Sequence, residues 1–159
     1  MLRRLCAFHP ILFAIFPALS LAASNTAAVS LREVWPAALH RIVMRMHRDY
    51  GKPIYITENG CAEPTGPGAD GRVHDADRVD YLAGHVGQLA RAIDDGCDVR
   101  GYFAWSLLDN FEWAAGYTQR FGIAWVDVED GLRRVVKDSG WWMRDIARSR
   151  AIDYDETLA

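Results

Sequence analysis

Two apolar, extended runs set between amphipathic helices constrain the fold of this chain more than any other feature. The first run is Ile54-Tyr55-Ile56-Thr57, reset to extended backbone by Pro53, and the second is Val99 to Leu107, VRGYFAWSL. Before the first, Leu39, Ile42, Val43 and Met46 recur at helical spacing, with Pro36 suited to a first helical position and Gly51 closing the helix. Between the runs, Val79, Leu82, Val86, Leu89 and Ile93 form one apolar stripe. Asp75 or Asp77 is placed to cap that helix, and Gly96 to end it. A short extended piece over Gly122 to Val128 and a last helix near Gly140 to Arg150 follow. Helix, strand, helix, strand, helix is the rhythm of a parallel α/β sheet, and the second run, apolar almost throughout, predicts a strand buried on both faces.

Both runs end on polar residues, Glu58 and Asn59 on the first, Ser106, Asp109 and Asn110 on the second. An apolar strand has no packing reason to finish on a carboxylate, and ligand chemistry in parallel α/β folds gathers at the carboxyl ends of strands. The second run continues into WSLLDNFEW, Trp105 to Trp113, where two indoles, acids and an amide share one loop. A pyranose suits this chemistry: its C–H face stacks on an aromatic plane, and its hydroxyls take a carboxylate and an indole N–H. Five of the six Trp lie from Trp105 onward.

ITENG and WSLLDNFEW, followed in order by RFGIAWVD (Arg120 to Asp127) and KDSGWW (Lys137 to Trp142), resemble the C-terminal part of the β-glucosidases of glycoside hydrolase family 1. The upstream WPAALHRIVMRMHRDYGKPIYITENG is similar too, so the likeness runs from about Leu31 to Ile152. The fold implied is a partial (β/α)₈ barrel, its last two strand–helix units. The resemblance makes Glu58 the nucleophile that forms a covalent glycosyl-enzyme. It makes Trp105 the platform under the sugar, Glu112 the carboxylate gripping two hydroxyls, Trp113 an indole beside it, and Phe121 an aromatic wall. The substrate implied is a β-glucoside or related β-glycoside, with no cofactor and no metal.

A retaining glycosidase needs a second carboxylate about 5–5.5 Å from the first, as general acid and then base. The family's T-x-N-E-P-type motif for it does not occur in this sequence. Glu63, in Ala62-Glu63-Pro64, imitates the motif but follows the nucleophile in a Gly- and Pro-rich loop, and is read as a decoy. A complete barrel takes roughly 250 residues, so the chain reads as a C-terminal fragment, with a separate N-terminal barrel fragment as the protein partner. Acting alone it is not expected to be active. The alternative is a catalytically dead remnant, or a weak sugar-binding protein.

The remaining composition narrows the classes. A net charge of -3 with mixed signs gives no footprint for nucleic acid. Cys6, Cys61 and Cys97 have neither metal-ligand spacing nor enough partners for a disulfide framework, and His40, His47, His74 and His85 are scattered. Residues 1–30 stand apart, as a signal peptide or as an extension foreign to the family. Arg3 and Arg4 precede an apolar stretch ending in the small residues around Ser20-Leu21-Ala22, but Pro10 and Pro17 interrupt it, and it is too short for a membrane span. The signal for export is therefore weak, and without it the chain would stay in the cytoplasm. Residues 153–159 read as a tail.

Overall fold

A computed structural model describes residues 34–153 and the backbone of residues 3–4. The leader or extension expected over 1–30, with Cys6, and the tail after Asp153 otherwise lie outside the described residues. Strands β1 (Arg3–Arg4), β2 (Ile54–Asn59), β3 (Val99–Ala104), β4 (Ala124–Val126), β5 (Arg134–Val136) and β6 (Ala151–Ile152) join helices α1 (Ala37–Tyr50), α2 (Ala76–Asp94) and α3 (Asp138–Ser149). β2 and β3 pair in parallel with α2 as their crossover. β4 pairs antiparallel with β5, and β1 antiparallel with β6. The two parallel strands and their helices form a portion of a barrel, open along both strand edges. Among the described residues, no helix is long and apolar enough to cross a membrane.

The core lies between the β2–β3 sheet and its helices. Val43 of α1, Ile54 of β2, and Leu89, Ala92 and Cys97 from α2 and its exit form one buried cluster, with Ile56, Val99 and Tyr102 packed against it. Val86, Ala90 and Ile152 form a second, joined by Tyr102, Trp142 and Ile146. α2 touches α1 on one side and α3 on the other, so it is buried continuously from His85 to Ala90, including residues off its apolar stripe. Among the described residues, α1 packs against one helix, α2. Its buried stripe is therefore narrower than the sequence predicts: Val43 is buried, but Ile42 and Met46 face solvent.

Three other expectations need correction. β3 stops at Ala104, because after Trp105 the chain leaves β2 and pairs with the segment beginning at Phe121: Ser106 N–H donates to Phe121 C=O (3.0 Å) and Ile123 N–H to Ser106 C=O (2.8 Å). Nor is the run buried on both faces. Phe103 is 58 % exposed and Leu107 68 %, since helices cover only one side of the sheet. Finally, β5 was invisible in the sequence; three residues, Arg134-Val135-Val136, are too few to show a period of two.

The helix starts are set by carboxylates reaching across the chain. Asp75 occupies the cap position of α2 but does not cap it. Its carboxylate accepts Ser139 N–H (2.9 Å) and Ser139 Oγ–H (2.5 Å) at the start of α3, two residues earlier than the sequence suggests for that helix. In return Glu63 Oε2 accepts Arg78 N–H (2.8 Å) in the first turn of α2. α3 then packs so closely that a Cβ on Gly140 would lie 2.6 Å from Ile123 C=O, a contact only glycine permits.

Asp75 is fully buried, and its second partner is the equally buried Arg78 (Nε–Oδ2 2.8 Å). Asp75→Ala should therefore cost about 3–5 kcal/mol, by leaving a buried guanidinium without its counter-charge and α3 uncapped. Urea unfolding measures this, and a loss below about 1 kcal/mol would contradict it.

On the surface, His74 bridges Asp138 at the start of α3 (Nδ1–Oδ2 2.7 Å) and Asp70 in the preceding loop (Nε2–Oδ2 3.0 Å). Ionised carboxylates only accept, so the geometry calls for an imidazolium donating from both nitrogens. Hydrogen bonds to Asp70 and then Asp138 raise the His74 pKa above 6.5, while His74 lowers both carboxylates. The bridge's stabilisation is complete below the unfolded histidine value and is lost as pH rises through the higher folded one. On the acid side it is lost as pH falls through the lowered carboxylate values. A titration of the His74 ring protons should give a midpoint above 6.5, removed as a source of pH-dependent stability by His74→Gln; a midpoint at or below 6.5 would contradict the bridge.

Candidate active site

Strict alternation would send Ile54, Ile56 and Glu58 to the same face of β2, and Glu58 into the core. The register prevents this. Ile56 pairs with Tyr102 and Asn59 with Ala104, three steps along β2 against two along β3, so one extra residue is accommodated before Asn59. Ile56 and Asn59 consequently both face the helices, and Thr57 and Glu58 are exposed. A complementary shift between Ile54 and Tyr55 inserts the extra residue in β3, so Val99 and Tyr102 share the helix side. The bulge answers why an apolar strand ends on glutamate. Its last carboxylate is turned out of the core, where among the described residues it makes no hydrogen bond and no ion pair.

Asn59 anchors the turn. Tyr102 Oη–H donates to its Oδ1 (2.8 Å), and its Nδ2 donates to Tyr81 Oη of α2 (3.2 Å). Its C=O accepts Trp105 N–H (2.8 Å), which ties the end of β2 to the start of the aromatic loop. Gly60 lies so close to that loop that a Cβ would overlap the Trp105 C=O, so no larger residue fits.

The structure brings Glu58 and Trp105 to adjacent strand ends. Trp105 is 39 % exposed, so its indole is not spent as core packing. Glu112 joins the same end through a relay: Ser106 Oγ meets Asn110 Oδ1 (3.0 Å), and Asn110 Nδ2 donates to Glu112 Oε2 (2.9 Å). Phe121 is held beside Ser106 through its C=O, and its side chain is half-buried. Trp113 stands 82 % exposed in a short 3₁₀ turn at φ +45°, and no neighbour in the described structure holds its indole.

Glu63 is engaged elsewhere. One oxygen accepts Arg78 N–H and the other Thr65 Oγ–H (2.8 Å), so both serve the local fold. Asp109, one of the polar residues at the end of the second run, is buried and accepts from four donors. Gly122 N–H (2.9 Å) and Lys137 Nζ (2.9 Å) meet one oxygen, Arg120 (3.0 Å) and Val126 N–H (3.3 Å) the other. It fixes the aromatic loop onto the Phe121 segment. Burial and the nearby Arg78 push the Lys137 ammonium down, while Asp109 opposes the shift. Arg78, missed in the sequence, donates from every N–H of its guanidinium: to Asp75, to the carbonyls of Cys61 and Phe121 (3.0 Å), and to those of Glu63 (3.3 Å) and Arg120 (2.7 Å). Burial pushes the thiol of Cys61, three residues past Glu58, up to about 11, so it stays protonated at neutral pH.

With this geometry in place, comparison with known proteins is decisive. Residues 21–152 match the model of glycosyl hydrolase family 1. The chain belongs to that family. It is 46 % identical over 122 residues to β-glucosidase A of Thermotoga maritima, covering 76 % of this chain and 27 % of that protein. Over 118 residues it is 52 % identical to a bifunctional β-D-glucosidase/β-D-fucosidase of Bifidobacterium breve, covering 70 % of this chain and 25 % of that one. The solved family 1 β-glucosidase of Thermotoga maritima superposes with a TM-score of 0.73 at 45 % identity, covering 77 % of this chain and 28 % of that structure. The chain thus spans about a quarter of the length of these relatives, and its fold is a partial (β/α)₈ barrel of the kind they close.

Partnership and exposure separate the two glutamates by their cost to the fold. Glu58→Gln should change stability by no more than about 0.5 kcal/mol, since it removes an unpaired surface charge. Glu63→Ala should cost about 0.5–2 kcal/mol through the lost cap. Equal losses in chemical unfolding would contradict these assignments.

Proposed function

We propose that this chain supplies the nucleophile side of the active centre of a retaining β-glucosidase. Glu58 attacks the anomeric carbon, and Trp105, Glu112, Trp113 and Phe121 form part of the pocket for the sugar. The observation that carries this reading is the Glu58 carboxylate, exposed and without a partner among the described residues, turned out at a strand end beside Trp105. Such a group is free to approach a substrate and needs no prior partner removed. The nearby Glu112, held through one oxygen by Asn110, keeps its other oxygen for hydroxyls.

The chemistry needs one further group from outside the described residues. In the first step Glu58 Oε forms a bond to C1 as the C1–O bond to the leaving group breaks, and a general acid protonates the departing oxygen. In the second, the same group as base takes a proton from water, whose oxygen displaces Glu58 from C1. Glu63 does not fill that role, because both its oxygens are engaged in local hydrogen bonds. Full turnover therefore requires the remaining barrel strands of the family fold, carrying the acid. The alternative, an inert sugar-binding remnant, predicts binding without chemistry.

An activated 2-fluoroglucoside separates the two, because its leaving group departs without protonation. Mass spectrometry should find one fluoroglucosyl unit on the peptide containing Glu58, absent from Glu58→Gln. Addition of the matching N-terminal barrel portion of a family 1 enzyme should then give aryl-β-glucoside hydrolysis, abolished by the same substitution. A folded chain that binds sugar yet stays unlabelled, and gains no hydrolysis from the added portion, would overturn the proposal.

A further inference from the structure

We propose that Tyr102 is a positioning residue for Glu58: with Tyr81 it grips the Asn59 side chain from the helix side of the sheet, and so fixes the bulge that turns the glutamate outward. The inference rests on the proposed nucleophilic role of Glu58, but its structural half can be tested without it.

The argument begins with the bulge. An extra residue in β2 leaves a strand free to relax into alternation, which would drive the Glu58 carboxylate toward the apolar cluster of Ile54, Ile56 and Tyr102. Something must hold Asn59 on the helix side. Its amide is fixed at both ends, Oδ1 accepting from Tyr102 (2.8 Å) and Nδ2 donating to Tyr81 (3.2 Å), and its C=O is fixed by Trp105 N–H (2.8 Å). The two phenols come from separate elements, β3 and α2, and each is held in place. Tyr102 packs against both hydrophobic clusters, and the Tyr81 ring stacks on His85 at 4.0 Å. With Asn59 held, the chain has one outlet for Glu58, the open face beside Trp105. Burial pushes both phenols above their ordinary range, which favours the protonated hydroxyls that the clamp uses. Neither tyrosine needs to touch substrate, and the role is positional.

Tyr102→Phe in the whole chain removes one hydroxyl and keeps the ring. The rate of Glu58 labelling by the activated 2-fluoroglucoside should fall at least tenfold. The concentration giving half-maximal rate should stay within about twofold, since the pocket residues are untouched. The Trp105 amide, bonded to Asn59, should exchange its hydrogen at least tenfold faster, while amides in the middle of α2 keep their rates. Tyr81→Phe, losing the longer bond, should move both readouts the same way and less. Should Tyr102→Phe not fold, Tyr81→Phe decides by the same readouts. Unchanged labelling and unchanged Trp105 exchange would overturn the proposal, as would a loss that merely tracks global unfolding. If the unsubstituted chain is itself never labelled, the nucleophile reading fails. The clamp then stands or falls on the Trp105 amide alone.

Discussion

A guanidinium buried at the first turn of α2 is the constraint on which the rest depends. Removing Arg78 from water is tolerable only because all five of its N–H groups find acceptors: one carboxylate oxygen of Asp75 and four main-chain carbonyls. Those carbonyls belong to two loops, one following β2 and one carrying Phe121, which also share one main-chain hydrogen bond, Glu63 N–H to Arg120 C=O (3.1 Å). The arginine is the joint between them. Its counter-ion Asp75 reaches on to Ser139 and starts α3, so one buried ion pair sets a helix end and the spacing of both loops.

From this joint the arrangement at the strand ends follows. Asp109 locks the aromatic loop onto the Phe121 segment, Arg120 bridges Asp109 and the carbonyl gripped by Arg78, and Trp105 is tied to Asn59. Side chains with the capacity to bind sugar are thus carried on backbone held by buried polar groups, while they themselves are left exposed. That division is what a site requires. Rigid support lies behind, and among the described residues Glu58 and the Trp113 indole keep unspent hydrogen-bonding capacity in front.

The helices, the parallel strands and the order of motifs were legible in the sequence because hydrophobic periodicity and turn residues are local signals. Glu58 was legible as a strand-end carboxylate, whereas the nucleophilic role proposed for it comes only from its likeness to a family. The bulge that turns it outward was not legible, since it depends on the register of β2 against a strand some forty residues away. Arg78 and Asp109 were missed for the same reason. Their acceptors and donors are largely main-chain groups of distant segments, which leave no mark in residue type. Phe103 is exposed because one face of the two-stranded sheet is uncovered, and Ile42 and Met46 because α1 packs against α2 alone among the described helices, where an apolar pattern suggests deeper burial.

The central claim is that Glu58, Trp105, Glu112 and Trp113 face one hollow. The most direct test is an NMR titration of the folded chain with an iminosugar of the isofagomine class, following the two indole N–H signals and the two glutamate carboxyl carbons. The account predicts that all four signals shift along one common saturation curve. Shifts at Trp113 and Glu112 with Glu58 unmoved, or separate curves for the two strand ends, would contradict it.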